Sequence, residues 1–211
     1  MAAEELIVLD NANARRSLAR LIDPIARALL RLHVTPDGIT WFGCAATVAI
    51  SIVFLAQGKF LVGSILFGAF SLIDLLDGTM ARMLGTSGPW GAFLDSTLDR
   101  ISDSAVICAL IYYYVNSSGD NHQLAVIAGI VSLVMSLLTS YARAKAESLD
   151  ATCTVGIAER AERHLIIWIA LVFSAFITDI TPFALAILAV ASTVTVIQRI
   201  LFVRKQLVRQ V

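Results

Sequence analysis

Residues 60–84 read FLVGSILFGAFSLIDLLDGTMARML. A helix needs roughly 20 apolar residues to cross a bilayer, so this run is long enough. It nevertheless holds Asp74, Asp77 and Arg82. An ionised carboxylate at mid-span costs at least about 2.5–3.5 kcal/mol, so acids placed there need compensation. The next apolar stretch, 90–116, adds Asp95, Asp99 and Asp103 after a turn spanning Gly85 to Pro89.

The rest of the chain agrees with a membrane reading. Its 211 residues are 58% hydrophobic and only 15% charged. Soluble domains run near a quarter charged, and a core of this length would leave much apolar surface in water. We therefore expect an all-α integral membrane protein, one domain over 1–211, with six spans near 38–57, 60–84, 90–116, 123–148, 160–179 and 182–204 within a bundle over 38–204. Residues 12–33 alternate Arg15, Arg16, Arg20, Arg27 and Arg31 with Leu18, Ile22, Ile25, Leu29 and Leu30, the pattern of an interfacial amphipathic helix. Arg82, Arg143, Lys145, Arg160, Arg163 and Arg204 collect with these arginines on one side, against Lys59 on the other. The positive-inside rule then places both termini in the cytosol of a cell-membrane protein. No apolar region follows the polar, acidic first residues, so no cleavable signal is expected. The charge is balanced and nothing in it points to nucleic acid. Cys44, Cys108 and Cys153 are too scattered for a metal or disulfide framework.

Only Arg82 and Arg100 lie near the five carboxylates, so the acids outnumber their local cations and a bound hard cation is the natural partner. Asp74 and Asp77 are three apart, and Asp95 and Asp99 four apart, so each pair shares a helical face. Gly78 and Ala81 continue the first face and Gly91 the second, leaving room for a ligand. Asp77 and Asp95 are nearly equidistant from the intervening turn, which puts the pairs at similar depth. Four converging carboxylates suit two metal ions gripping a diphosphate, with Arg82 at the edge to meet phosphate oxygens. On burial alone, an ion pathway through a divalent-cation transporter fits as well. Asp103 reads either as orienting water, acceptor or Arg100, or as a bystander.

The string Asp74-x-x-Asp77-Gly78-x-x-Ala81-Arg82, eight residues, then Gly91-x-x-x-Asp95-x-x-x-Asp99 resembles the signature of the CDP-alcohol phosphotransferases at every position. The resemblance implies two Mg2+ ions, with Mn2+ as a substitute, held by Asp74, Asp77, Asp95 and Asp99. It implies Asp99 as the base that deprotonates an acceptor hydroxyl, and CMP as leaving group. Gly78, Ala81, Arg82 and Gly91 would bind the CDP-lipid, CDP-diacylglycerol, and a homodimer is implied. The family's Pro-Asn-x-x-Thr segment is Pro36-Asp37-Gly38-Ile39-Thr40 here, so Asp37 and Thr40 join the nucleotide site. That departure resembles the branch that makes phosphatidylinositol phosphate.

The acceptor is read from Arg143, Lys145, Arg160 and Arg163, near the ends of the fourth and fifth spans. Each alone is an ordinary positive-inside anchor; four in one hairpin suit an anionic phosphate. The segments resemble those of the same branch, with Ala161 where a proline is usual and Arg143 and Lys145 in exchanged order. Inositol 1-phosphate is the expected acceptor, with glycerol 3-phosphate, and hence phosphatidylglycerophosphate, as the alternative.

Overall fold

The computed structural model describes residues 22–71, 73–119 and 121–208; the side chains of Asp74 and Leu75 lie outside that description. Among the described residues every element is a helix. Residues 22–31 form α1, followed by α2 (Pro36–Val53), a 3-10 turn at Leu55–Gln57, α3 (Phe60–Ser71), α4 (Asp74–Leu84), α5 (Pro89–Asn116), α6 (His122–Glu147), α7 (Arg160–Phe176) and α8 (Thr181–Leu207). Local chemistry sets several boundaries. Thr35 Oγ1 accepts the Gly38 N–H at 3.1 Å as α2 begins, and Pro36 takes its first position, where no N–H is missed. Gly85 ends α4 in the left-handed region at φ 66°, where glycine carries no Cβ penalty.

Four helical runs are long and apolar enough to cross a bilayer: Pro36–Gln57, Phe60–Leu84, His122–Glu147 and Thr181–Leu207. Their mean hydropathy is 2.1, 1.8, 2.1 and 2.0, respectively. Of the other two expected spans, α5 carries Asp95, Asp99, Arg100 and Asp103 in its first half, and α7 has only 17 residues and opens with Arg160, Glu162 and Arg163. The expected 60–84 span is described as α3 and α4 on either side of Leu72, which lies outside the described residues, and Asp74 and Asp77 fall in the first residues of α4. Of the expected amphipathic helix, residues 12–21 lie outside the described residues.

The chain divides into two compact units, one of residues up to Ala46 with Ala69–Asp99, the other of Thr47–Gly68 with Arg100–Val211. In the first, Ala26 of α1 is buried with Ile39, Leu76 and Met80, flanked by Ile22, Leu29 and Leu30, while Arg27 and Arg31 face outward. In the second, Leu55, Phe67, Leu110, Tyr114, Leu171, Leu185 and Leu188 form the centre of an apolar core. Helix α6 turns Ala125, Ala128, Ser132, Ser136 and Thr139 inward and packs most extensively on α8. Small residues let the helix backbones approach, and Ser132 Oγ donates to Leu185 O at 3.0 Å across the seam. The opposite faces expose Ile127, Ile130, Val134, Ile187, Val190 and Ile197, the surface that lipid covers.

The connection between α6 and α7 is laced to α8. Thr195 Oγ1 accepts the N–H groups of Ile157 and Ala158, at 3.2 and 3.0 Å. Gln206 pairs with both the N–H and the C=O of Thr152, at 3.1 and 2.8 Å. Arg199 is 3% exposed and donates to Val155 O at 2.9 Å and Thr139 O at 2.6 Å. A buried cation needs such acceptors, and here backbone carbonyls supply them.

Candidate active site

The signature aspartate Asp77 is 8% exposed and directly bonded by the segment that opens α2. Thr40 Oγ1 donates to Asp77 Oδ2 at 2.8 Å and also lies 3.1 Å from Pro36 O. The Gly78 backbone N–H meets Asp77 Oδ1. These bonds orient the Asp77 carboxylate. Asp37 is held from α5, whose Trp90 Nε1 donates to Asp37 Oδ2 at 2.9 Å. The expected pair Asp37 and Thr40 is thus tied to both signature helices.

A Cβ on Gly91 would meet nothing within 4 Å, and one on Gly78 would meet only Arg82 Nη1 at 3.6 Å. Packing therefore does not require glycine at 91. Ala81 is half-buried; Arg82 is exposed and donates to Thr79 Oγ1 at 3.0 Å. Asp95 and Asp99 are half-buried one turn apart on α5. Asp74 opens α4 in sequence, with its side chain outside the described residues. Among those residues no group of three His, Cys, Asp or Glu side chains is gathered to hold a metal. The donor chemistry is oxygen throughout, which fits a hard divalent cation.

Of the four expected acceptor residues, Arg160 and Arg163 are brought together. Arg160 Nε lies 3.4 Å from Asp103 Oδ1, and Arg163 Nη2 lies 3.2 Å from Asp103 Oδ2. Arg163 is 5% exposed and also donates through Nη1 to Ala158 O at 3.1 Å. Arg143 is exposed and pairs with Glu147 at 2.9 Å. Lys145 is exposed too, and two residues along a helix point in different directions.

Two residues were missed or misjudged from sequence. Asp103 is no bystander: with His164 Nε2 at 2.7 Å from its Oδ1, it gathers three side chains of α7. The cations counted near the carboxylates were only those adjacent in sequence, whereas these partners lie 57 to 61 residues further on. The spacing of Arg160, Arg163 and His164, i, i+3 and i+4, was the available signal of one basic face.

The sequence profile of the CDP-alcohol phosphatidyltransferases matches residues 33–202. The chain is 40% identical over 200 residues to a phosphatidylinositol phosphate synthase of Cutibacterium acnes, covering 90% of this chain and 96% of that one. It is similar to the crystal structure of Mycobacterium tuberculosis phosphatidylinositol phosphate synthase with CDP-DAG bound. That likeness has a TM-score of 0.83 and 39% identity, covering 88% of this chain and 94% of that chain. The complex of the same mycobacterial enzyme with manganese and citrate gives a TM-score of 0.81 and 38% identity, covering 85% and 87% respectively. With the signature matched at every position and the profile spanning most of its length, the chain belongs to the CDP-alcohol phosphatidyltransferase family.

Proposed function

We propose that this protein transfers the phosphatidyl group of CDP-diacylglycerol to inositol 1-phosphate, forming phosphatidylinositol phosphate and CMP. Membership of the family makes it a transferase and removes the cation-transporter reading. The observation that carries the acceptor assignment is the gathering of Arg160 and Arg163 on Asp103: two guanidiniums held in place match a phosphate better than a neutral alcohol would require. The naming of relatives at 40% identity supports the same acceptor.

Asp74, Asp77, Asp95 and Asp99 would hold divalent metal, two Mg2+ ions or Mn2+ in their place. The manganese complex of the mycobacterial enzyme supports this. Bound there, the ions would supply charge stabilisation at the diphosphate. Asp99 takes the proton of the acceptor hydroxyl. The hydroxyl oxygen then bonds to the phosphorus that carries the diacylglycerol, and the bond from that phosphorus to the CMP oxygen breaks. Thr40 keeps Asp77 turned toward the site, Gly78, Ala81 and Gly91 leave room for the cytidine, and Asp37 and Arg82 bound the CDP-lipid. Arg160 and Arg163 take the acceptor phosphate, with Arg143 and Lys145 contributing at the rim.

The same reading includes one catalytic domain of six spans, α5 and α7 completing the four apolar runs, and an interfacial helix before them. Both termini would be cytosolic at the plasma membrane, and the active form a homodimer.

The test is CMP release by purified protein with CDP-diacylglycerol and Mg2+, comparing inositol 1-phosphate, free inositol, glycerol 3-phosphate and serine. Release with inositol 1-phosphate alone, abolished by a chelator, is expected. Release with glycerol 3-phosphate instead would replace the acceptor, and turnover persisting in chelator would remove the metal site.

A further inference from the structure

We infer that Asp103 is a positioning residue for the acceptor: it holds Arg160 and Arg163, with His164 as a further hydrogen-bond partner, in one cluster against which the acceptor phosphate docks. The inference rests on the acceptor reading above. Asp103 lies on α5 with its side chain 12% exposed, and every partner named here comes from the first two turns of α7. Oδ1 receives Arg160 Nε at 3.4 Å and His164 Nε2 at 2.7 Å; Oδ2 receives Arg163 Nη2 at 3.2 Å. Both carboxylate oxygens are therefore engaged with α7.

Three consequences follow from that geometry. Arg160 and Arg163 share a helical face, where like charges repel, and one carboxylate between them lets them stay close. Arg163 is 5% exposed, and its two bonds, to Asp103 and to Ala158 O, fix the plane of the guanidinium. Once the plane is fixed, so are the directions of all five N–H donors, because the fork is rigid. His164 is held from its other side by the edge of Phe67, ring centroids 5.3 Å apart, which steadies the carboxylate in turn. A phosphate arriving at Arg160, the more exposed of the two arginines, then meets a guanidinium already held by Asp103, so less side-chain freedom is lost on binding.

A positioning role and a purely electrostatic one predict opposite signs. Asp103→Asn adds net positive charge to the cluster, so simple attraction would tighten phosphate binding. Disordering of the arginines would weaken it. We expect the KM for inositol 1-phosphate to rise about tenfold to a hundredfold, the scale of one or two charge-assisted hydrogen bonds. The KM for CDP-diacylglycerol should stay near wild type, while the melting temperature falls because Arg163 loses its buried counter-charge. Asp103→Glu keeps the charge and displaces it by one methylene; a smaller rise, roughly threefold, is expected, and this variant decides the matter should the Asn variant not fold. An acceptor KM that is unchanged or lower in the folded variants overturns the inference, as does loss of folding in both. Wild-type turnover with glycerol 3-phosphate but not inositol 1-phosphate refutes the acceptor identity alone, and the same rise is then expected with glycerol 3-phosphate. Wild-type turnover only with an uncharged alcohol overturns both.

Discussion

Thr40→Val isolates the hydrogen bond that ties the start of α2 to the signature. Valine keeps the shape and loses the hydroxyl. That hydroxyl has one proton, directed at Asp77 Oδ2 at 2.8 Å with Pro36 O at 3.1 Å as a competing acceptor. A hydrogen bond to a charged group contributes about 1.5–3 kcal/mol. Sharing with Pro36, and the remaining support of Asp77 by the Gly78 N–H, bring the expected loss to about 1–2 kcal/mol, or roughly 5–30-fold. The deficit should fall on divalent-metal binding, because what is lost is the orientation of a carboxylate proposed as ligand. The assay is CMP release titrated with Mg2+. The half-saturating Mg2+ concentration should rise roughly 5–30-fold while turnover at saturating Mg2+ stays near wild type. An unchanged Mg2+ requirement would refute the reasoning, and so would an equal loss of turnover at every Mg2+ concentration.

Asp95→Asn and Asp99→Asn should each remove CMP release almost completely while the purified protein keeps its melting profile; near-normal turnover in either variant would sink the assigned metal set. Gly91→Leu should leave folding intact, because a side chain there enters open space, yet raise the KM for CDP-diacylglycerol about tenfold or more by filling it. Unaltered CDP-diacylglycerol kinetics in that variant would place the nucleotide elsewhere.

The aspartate rows were legible because acids in an apolar run are costly and the gaps between them are helical. The turn at Gly85 was legible from glycine alone, and the structure gives it the left-handed φ that the residue permits. What sequence hid depends on distance along the chain. Thr40 and Asp77 are 37 residues apart, and nothing local tells a threonine which carboxylate it will reach. The choice between an orienting role and a bystander was left open for Asp103 because its partners lie on α7, and an inventory of neighbouring cations stops at Arg100. Arg199 escaped notice for the opposite reason: a lone arginine near a span's end reads as an interfacial anchor, whereas here it is buried on carbonyls.

The lacing of residues 148–159 to α8 bears on how the protein is made. Synthesis runs from the N-terminus, so α8 leaves the ribosome after every segment it clasps. Until it is in place, Thr139 O and Val155 O have no guanidinium, and the N–H groups of Ile157 and Ala158 have no threonine. Ala158 in turn supplies the carbonyl on which Arg163 leans. The nascent chain therefore carries all its signature aspartates well before the segment behind the basic cluster is clasped, and maturation of the proposed acceptor site waits for insertion of α8.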